Sequence, residues 1–586
     1  MKPSTSPSIP NQLQDGLNRL VQSIYPQHDC YAITARILET YWPDETMPVE
    51  LGRTPETCLW DESDAYVITY GNSILDGTFK PLDLLYSFLH EHLKGVISGV
   101  HILPYFPFTS DDGFAVVDFR EVNSGLGAWE DIGRIADDFR LMSDLVINHC
   151  SSQSFYFNKF LQGHEPYNKF FFEAGSEEDV SMVVRPRAHP LLRKVDTSSG
   201  EKHVWCTFSH DQIDFDFSNP EVLIEFLSVL RFHIDRGVRT IRLDAVAFLW
   251  KELGTSCIHL RQTHEIIRLL RLLADFSEEE VILITETNVP NAENLSYFGN
   301  QNEAHAVYNF SLPPLLLHAL FNGTSEHLNA WAQTMPQAQP GCFYFNFTAS
   351  HDGIGLRPAE GLLAEEEIQG MIDTVKDHGG LVSMRESAGG EQRPYEMNIT
   401  LFDALKGTNE GLDNWQVERF LCSQILAMGL EGIPAFYIHS LLATPNDHAG
   451  VERTNHNRTI NRHRWNLVEL LENLKADGSP QKRVFDALKW IIKLRTQQKA
   501  FHPNGGQSIL QLGHAFFGFK RGSIDQAQTI YAVHNMTSEN KEFPVIDLDM
   551  AEEEAWHDLL SGEQIQPGSE ALTFSPYQCR WITNQR

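Results

Sequence analysis

Eight short β-rich runs spaced along the middle of the chain limit its fold more than any other feature. They are DAYVITYG (64 to 71), GVHILPYFP (99 to 107), SDLVINHC (143 to 150) and RTIRLDAV (239 to 246), then VILITETN (281 to 288), HAVYNFSLP (305 to 313), FYFNFTASHDG (343 to 353) and GIPAFYIHS (432 to 440). Amphipathic helical stretches such as EVLIEFLSVLRFHI and THEIIRLLRLLADF separate most of them. Alternating strand and helix units require a parallel sheet, and eight of them predict a closed (β/α)8 TIM barrel, an α/β fold. Two spacings, 150 to 238 and 353 to 432, are too long for one crossover and are rich in Gly, Pro and charge. They are expected to hold insertions over the barrel mouth, at about 150–218 and 354–407. The barrel is then placed at 64–500. Before it, Leu13, Leu17, Leu20, Val21 and Ile24 recur at helical spacing, so residues 1–63 read as an N-terminal helical extension. After it, AFFGFK, TIYAVHNM and ALTFSP alternate like antiparallel strands, giving a C-terminal β-domain at 501–586.

In such a barrel, reactive groups project from the C-terminal ends of the strands. The third run ends in Asn148 and His149, the fourth in Asp244, the fifth in Glu286, and the seventh leads into His351 and Asp352. Taken singly, each admits a structural role: Asp244 as a partner of Arg242, Glu286 as a helix cap, His149 as a buried histidine on a carbonyl. Their joint placement on one rim favours chemistry. A retaining glycosidase places a carboxylate nucleophile about 5 to 5.5 Å from a carboxylic acid, and neighbouring strands lie ~4.8 Å apart. Asp244 and Glu286 end neighbouring strands. Arg242, two residues before Asp244 and so on the same face, is expected to keep that carboxylate ionised. Glu286, between Thr285 and Thr287, is expected to titrate high and act as the proton donor. Asp352 is expected to bind sugar hydroxyls and favour a cationic transition state.

The motifs DLVINH, GVRTIRLDAV, ITETN and FTASHDG, in this order, resemble the four signature regions of glycoside hydrolase family 13, the alpha-amylase clan. The resemblance implies that Asp244 is the nucleophile, Glu286 the general acid/base and Asp352 the transition-state stabiliser, with Arg242, His149 and His351 lining a glucose subsite. YGNSILDGTFKPL, GVHILPYFPFTSDDGFAVVDF, SLPPLLLHAL, SHDGIGLRP and NRTINRHRW are similar to the sucrose phosphorylase subfamily, from about Asp64 past Trp465. That likeness implies further substrate contacts from Asp111, Phe114, Gln212 and Arg462, a phosphate-binding role for Arg187 in VVRPRAHPLLRK, and no metal or cofactor. It also implies the partners, a small α-glucoside and inorganic phosphate. Phosphate then replaces water as the attacking group, which needs cationic hydrogen-bond donors and poor access for water.

The acceptor loop departs from sucrose phosphorylase proper. It reads Arg393, Pro394, Tyr395, Glu396 where that enzyme has an acidic residue and a glutamine about the tyrosine, and Val184 stands at an upstream tyrosine. An added cation suits an anionic acceptor. With the PYEMN loop and WKELGTSCIHLRQTH, the chain looks most like the glucosylglycerate phosphorylases of this subfamily, and Arg393 or Arg187 is expected to meet the glycerate carboxylate. Sucrose and sucrose 6'-phosphate are the alternative donors. A plain hydrolase or transglucosidase, forming products independently of phosphate, is the rival class; a non-catalytic relative is disfavoured by the intact acids.

The 586 residues carry 42% hydrophobic and 21% charged side chains and a formal net charge of −32, the balance of a folded chain whose acidic surface repels nucleic acid and anionic membranes. The N-terminus has no apolar core of signal-peptide type, so a cytoplasmic location is expected. The eight cysteines form no CxxC pair and read as reduced thiols. No feature of the chain specifies an oligomeric state.

Overall fold

The computed structural model describes residues 9–585 except 44–47, 55, 188, 387–391, 552–553 and 568–569. Its centre is a closed barrel of β1 (Tyr66–Thr69), β2 (Gly99–Ile102), β3 (Arg140–Val146), β4 (Val238–Asp244), β5 (Ile282–Thr285), β6 (Ala306–Tyr308), β7 (Phe343–Phe347) and β8 (Ile433–Tyr437). Each strand pairs in parallel with its sequence neighbours, and β8 closes on β1. These are the eight runs anticipated above. Nearly every strand residue is buried, because helices cover the outside while side chains fill the inside. Gly432 permits the closure: it holds φ +119°, and a Cβ there would stand 2.2 Å from the Tyr344 carbonyl oxygen, an approach only glycine tolerates.

Local sequence sets the helices. In Pro220–Ile234, proline occupies the first turn and the Asn219 side chain accepts from the Glu221 amide. At the N-terminus, α1 (Asn11–Ile24) buries Leu13, Leu17, Val21 and Ile24, and α2 (Cys30–Tyr41) is capped by Asp29, which accepts from the Tyr31 and Ala32 amides. Gly16 lets α1 lie against Leu272 of the helix Arg261–Asp275, and Tyr25 Oη donates to the Phe217 carbonyl at 3.0 Å. The pair is thus seated on the helices that bring the chain into β4 and β5.

A six-stranded antiparallel sheet follows the barrel, from Gly506–Ile509 to Cys579–Thr583. Arg495, fully buried beneath it, donates to the carbonyls of Met428 (3.2 Å), Asp64 (3.1 Å), Gly432 (3.3 Å) and Phe501 (3.0 Å). One guanidinium therefore satisfies loop ends from both parts of the chain. The long spacings hold hairpins, Leu192–Thr197 with Gly200–Trp205 and Leu381–Glu386 with Gln392–Asn398. None of the eight cysteines is in a disulfide, and among the described residues no helix is long and apolar enough to cross a membrane.

Candidate active site

The C-terminal ends of β4 and β5 run in register, Leu243 opposite Thr285, and the Glu286 amide donates to the Leu243 carbonyl at 3.2 Å. Asp244 and Glu286 therefore leave the barrel side by side. The chain turns sharply after Asp244: Ala245 sits at φ 55°, a left-handed conformation rare without glycine. The turn aims the Ala245 amide at Glu286 Oε2, 3.1 Å away. Arg242 Nη1 contacts Asp244 Oδ1 at 2.6 Å and also pairs with Asp144, while Nη2 lies 3.8 Å from Glu286 Oε1. Asp144 takes a second donor from beneath, His101 Nε2 at 2.7 Å. The Phe114 and Tyr308 rings flank the guanidinium at 5.7 and 5.6 Å.

Burial raises the titration of both carboxyls, with Arg242 pulling each back down. This corrects the expectation that Arg242 alone keeps Asp244 low, because desolvation and the neighbouring carboxylates outweigh one cation. The buried pair retains a proton well above the ordinary carboxyl range.

On the opposite wall, His351 stacks on Phe114 with ring centres 5.1 Å apart and planes 6° from parallel. Burial drives its pKa down to about 3, so the ring is neutral. Asp352 Oδ1 lies 2.6 Å from Arg458 Nη1. Burial pushes the Asp352 carboxyl up, but Arg458, His351 and Arg462 outweigh it and hold the group well below the carboxylate range. Asp111, at φ 54°, is likewise kept low against burial by Arg458, Arg462 and Arg187. His149 Nε2 meets the Phe114 carbonyl at 3.1 Å, and Gln212 Nε2 donates to Asp111 Oδ2 at 3.3 Å.

Together these groups line a cavity of about 60 Å³. Asp244, Glu286, Asp352, Asp111, Phe114, His149, Arg187, Gln212, Arg242, His351 and Tyr395 all face it. Three residues expected there do not. Arg462 lies behind the wall, with Nη1 2.6 Å from Asp112 Oδ2, Nε on the His351 carbonyl at 2.8 Å and Nη2 3.9 Å from Asp352 Oδ1, and it lines a separate hollow. Glu396, 1% exposed, lies behind the wall, holding Arg458 through two bonds of 2.8 and 2.9 Å. Arg393 is exposed and lines an outer depression with Arg385 and Gln392. The reason is a bulge: Ser383 pairs with Glu396 but Met384 with Pro394, so Tyr395 is the extra residue and the two-residue alternation fails across it.

Conversely, Arg458, Asn288 and Phe208 line the cavity without having been anticipated. Arg458 lies in NRTINRHRW, four residues before Arg462, and only the fold distinguishes which arginine faces inward. Asn288 Oδ1, His351 Nδ1 and Arg242 Nε are buried with no hydrogen-bond partner. Arg187 stacks over Tyr395 at 5.3 Å and is the cation at the mouth.

The arrangement has counterparts in known proteins. The alpha-amylase catalytic-domain model matches residues 91–352. A glucosylglycerate phosphorylase from Allomeiothermus silvanus is 42% identical over 550 residues, 92% of this chain and 96% of that protein. One from Escherichia coli is 39% identical over 89% of this chain and 92% of its own length. A sucrose phosphorylase from Bifidobacterium adolescentis is 31% identical over 74% of this chain and 85% of its own. The crystal structure of sucrose 6F-phosphate phosphorylase from Thermoanaerobacter thermosaccharolyticum superposes with a TM-score of 0.69 at 27% identity, covering 81% of this chain and 94% of that one.

Proposed function

The chain belongs to the alpha-amylase family, in the branch of the glucosylglycerate and sucrose phosphorylases, and from that premise we propose that it cleaves 2-O-α-glucosylglycerate with inorganic phosphate. The products are α-glucose 1-phosphate and glycerate. The observation carrying this reading is the in-register pair Asp244 and Glu286 bridged by Arg242, with the cation Arg187 at the cavity mouth.

The pair enters the reaction holding one proton. The reaction needs that proton on Glu286 and Asp244 anionic, and the unequal contacts of Arg242, 2.6 Å to Asp244 and 3.8 Å to Glu286, favour this arrangement against the burial that raises both groups. Asp244 attacks the anomeric carbon as the bond to the glycerate oxygen breaks, and Glu286 passes its proton to that oxygen. A β-glucosyl ester on Asp244 results. Glycerate leaves, phosphate takes its place, and the Glu286 carboxylate removes a proton as a phosphate oxygen attacks the same carbon and the ester bond breaks. Two inversions give net retention. The Asp352 carboxylate, kept ionised by Arg458, offsets the positive charge that develops on the sugar ring.

Glycerate and phosphate occupy the acceptor position in turn, and both are oxyanions. Of the three guanidiniums lining the cavity, Arg242 and Arg458 are engaged by Asp144, Asp244, Asp352 and Glu396, and with Arg393 on an outer depression, Arg187 is the one that serves both. Arg187→Ala is expected to raise KM for phosphate about 10- to 100-fold, the loss of one charge-assisted contact, and to increase the share of glucose released by water. An unchanged KM assigns Arg187 to the solvated loop surface.

The reaction is tested by incubating the protein with phosphate and, separately, glucosylglycerate, sucrose, sucrose 6'-phosphate and glucosylglycerol, and measuring glucose 1-phosphate. Glucosylglycerate is expected to give the highest kcat/KM. A higher value for another donor replaces the acceptor assignment. Release of glucose alone, independent of phosphate, removes the phosphorylase reading.

A further inference from the structure

Three helices outside the active site bring two histidines and a glutamate together: His318 on Leu312–Asn322, His327 on Glu326–Thr334 and Glu367 on Glu365–Asp377. Both imidazoles aim Nε2 at one carboxylate oxygen, Glu367 Oε1, from 2.7 Å for His327 and 3.4 Å for His318. The three ligand atoms lie within 4.8 Å of one another, the one such trio of His, Cys, Asp or Glu among the described residues. A tetrahedral ion with bonds of ~2.0–2.1 Å needs ligand atoms ~3.3 Å apart, and the two histidine–carboxylate separations, 2.7 and 3.4 Å, bracket that spacing.

The surroundings suit an ion as well. Glu367 Oε2 is already fixed by the Ala364 amide at 2.8 Å, which closes the helix N-terminus and orients Oε1 toward the histidines. His318 is 5% exposed, and its ring meets that of His327 edge-on at 5.1 Å. A cavity of about 380 Å³, lined by all three residues with Glu366 and Met371, opens beside them and has room for a water as fourth ligand. We propose that His318, His327 and Glu367 bind one divalent transition-metal ion, with Zn²⁺ the best match to two imidazoles and a carboxylate in a four-coordinate site.

The ion would join the helices after β6 to the one after β7. It would also brace the seam with the C-terminal sheet, because Ser325, just before the second helix, donates from its amide to His514 O at 2.8 Å and from Oγ to Phe516 O at 2.7 Å. Full-length protein stripped with a chelator should take up one equivalent of Zn²⁺ in a calorimetric titration, with a rise in Tm. Co²⁺ in its place should give the visible absorption of a four-coordinate site. His327→Gln and Glu367→Gln should lose the equivalent and the Tm response. His502→Gln, which alters the separate contact with Cys58, should keep both. No bound equivalent in the wild-type protein, no four-coordinate Co²⁺ spectrum, or full binding by His327→Gln overturns the assignment. The cobalt spectrum is read on the unmutated chain, so a variant that fails to fold does not shield the proposal.

Discussion

Asp244→Asn should lower kcat by about four orders of magnitude while leaving the fold unchanged. Asparagine matches aspartate in shape and still offers an oxygen to Arg242 Nη1, so the 2.6 Å contact has a successor. What disappears is the negative charge and, with it, the nucleophile of the proposed mechanism. Because burial opposes the charged form of Asp244, removing the charge also removes a desolvation cost, and Tm should stay level or rise. Glu286→Gln supplies the contrast. It should stall on glucosylglycerate, whose leaving oxygen needs a proton, yet retain glucosyl transfer from α-glucosyl fluoride, whose leaving group needs none. Asp244→Asn should turn over neither. Substantial turnover of either donor by Asp244→Asn would return the residue to a role as the partner of Arg242.

Arg458→Ala should cost about 3–5 kcal/mol of stability, the penalty for stranding buried charges. Two carboxylates depend on this guanidinium, Asp352 at 2.6 Å and Glu396 through a bidentate pair. The pH dependence separates this cause from simple loss of packing. In the native protein Asp352 titrates below its unfolded value of about 3.9. Its contribution is therefore fully present above that value and is lost only as pH falls through the lower folded pKa. Without Arg458, the largest of the charges opposing burial is gone and the folded-state pKa of Asp352 rises, so the variant gains relative stability on acidification. Urea midpoints should differ strongly at pH 7 and converge toward pH 4. A gap that stays constant across that range would assign the loss to packing. Arg458→Lys should recover part of the stability but not the bidentate grip on Glu396.

The barrel was legible because each strand is a short apolar run bounded by turn residues and separated by helical periodicity, signals that act locally. The inner rim was legible for a related reason: Asp244, Glu286, His351 and Asp352 follow directly from the ends of strands, so their position along the chain fixes their position in space. Residues from the excursions between strands are different. Arg458 comes from the short turn Asn457–Asn461, with no period to say which way it faces. Arg393 was expected at the acceptor because it lies in the loop that holds Tyr395, but a bulge at Tyr395 leaves Arg393 on the outer depression. The titration of Asp244 escaped prediction because it depends on Asp144 and on burial, neither of which the two-residue spacing to Arg242 contains.

The cavity is the feature with the widest consequence. It is small, about 60 Å³, and it is lined on one side by the catalytic carboxyls and on another by Arg187 and Tyr395. The side of its wall bearing Arg187 and Tyr395 belongs to the inserted loops rather than to the barrel. Chemistry and traffic are thereby assigned to different parts of the chain. The strand ends set the height of the barrier, while the loops set how long the glucosyl ester stands exposed and which oxyanion or water reaches it first. Drift in those loops could change the acceptor without touching any residue that breaks a bond.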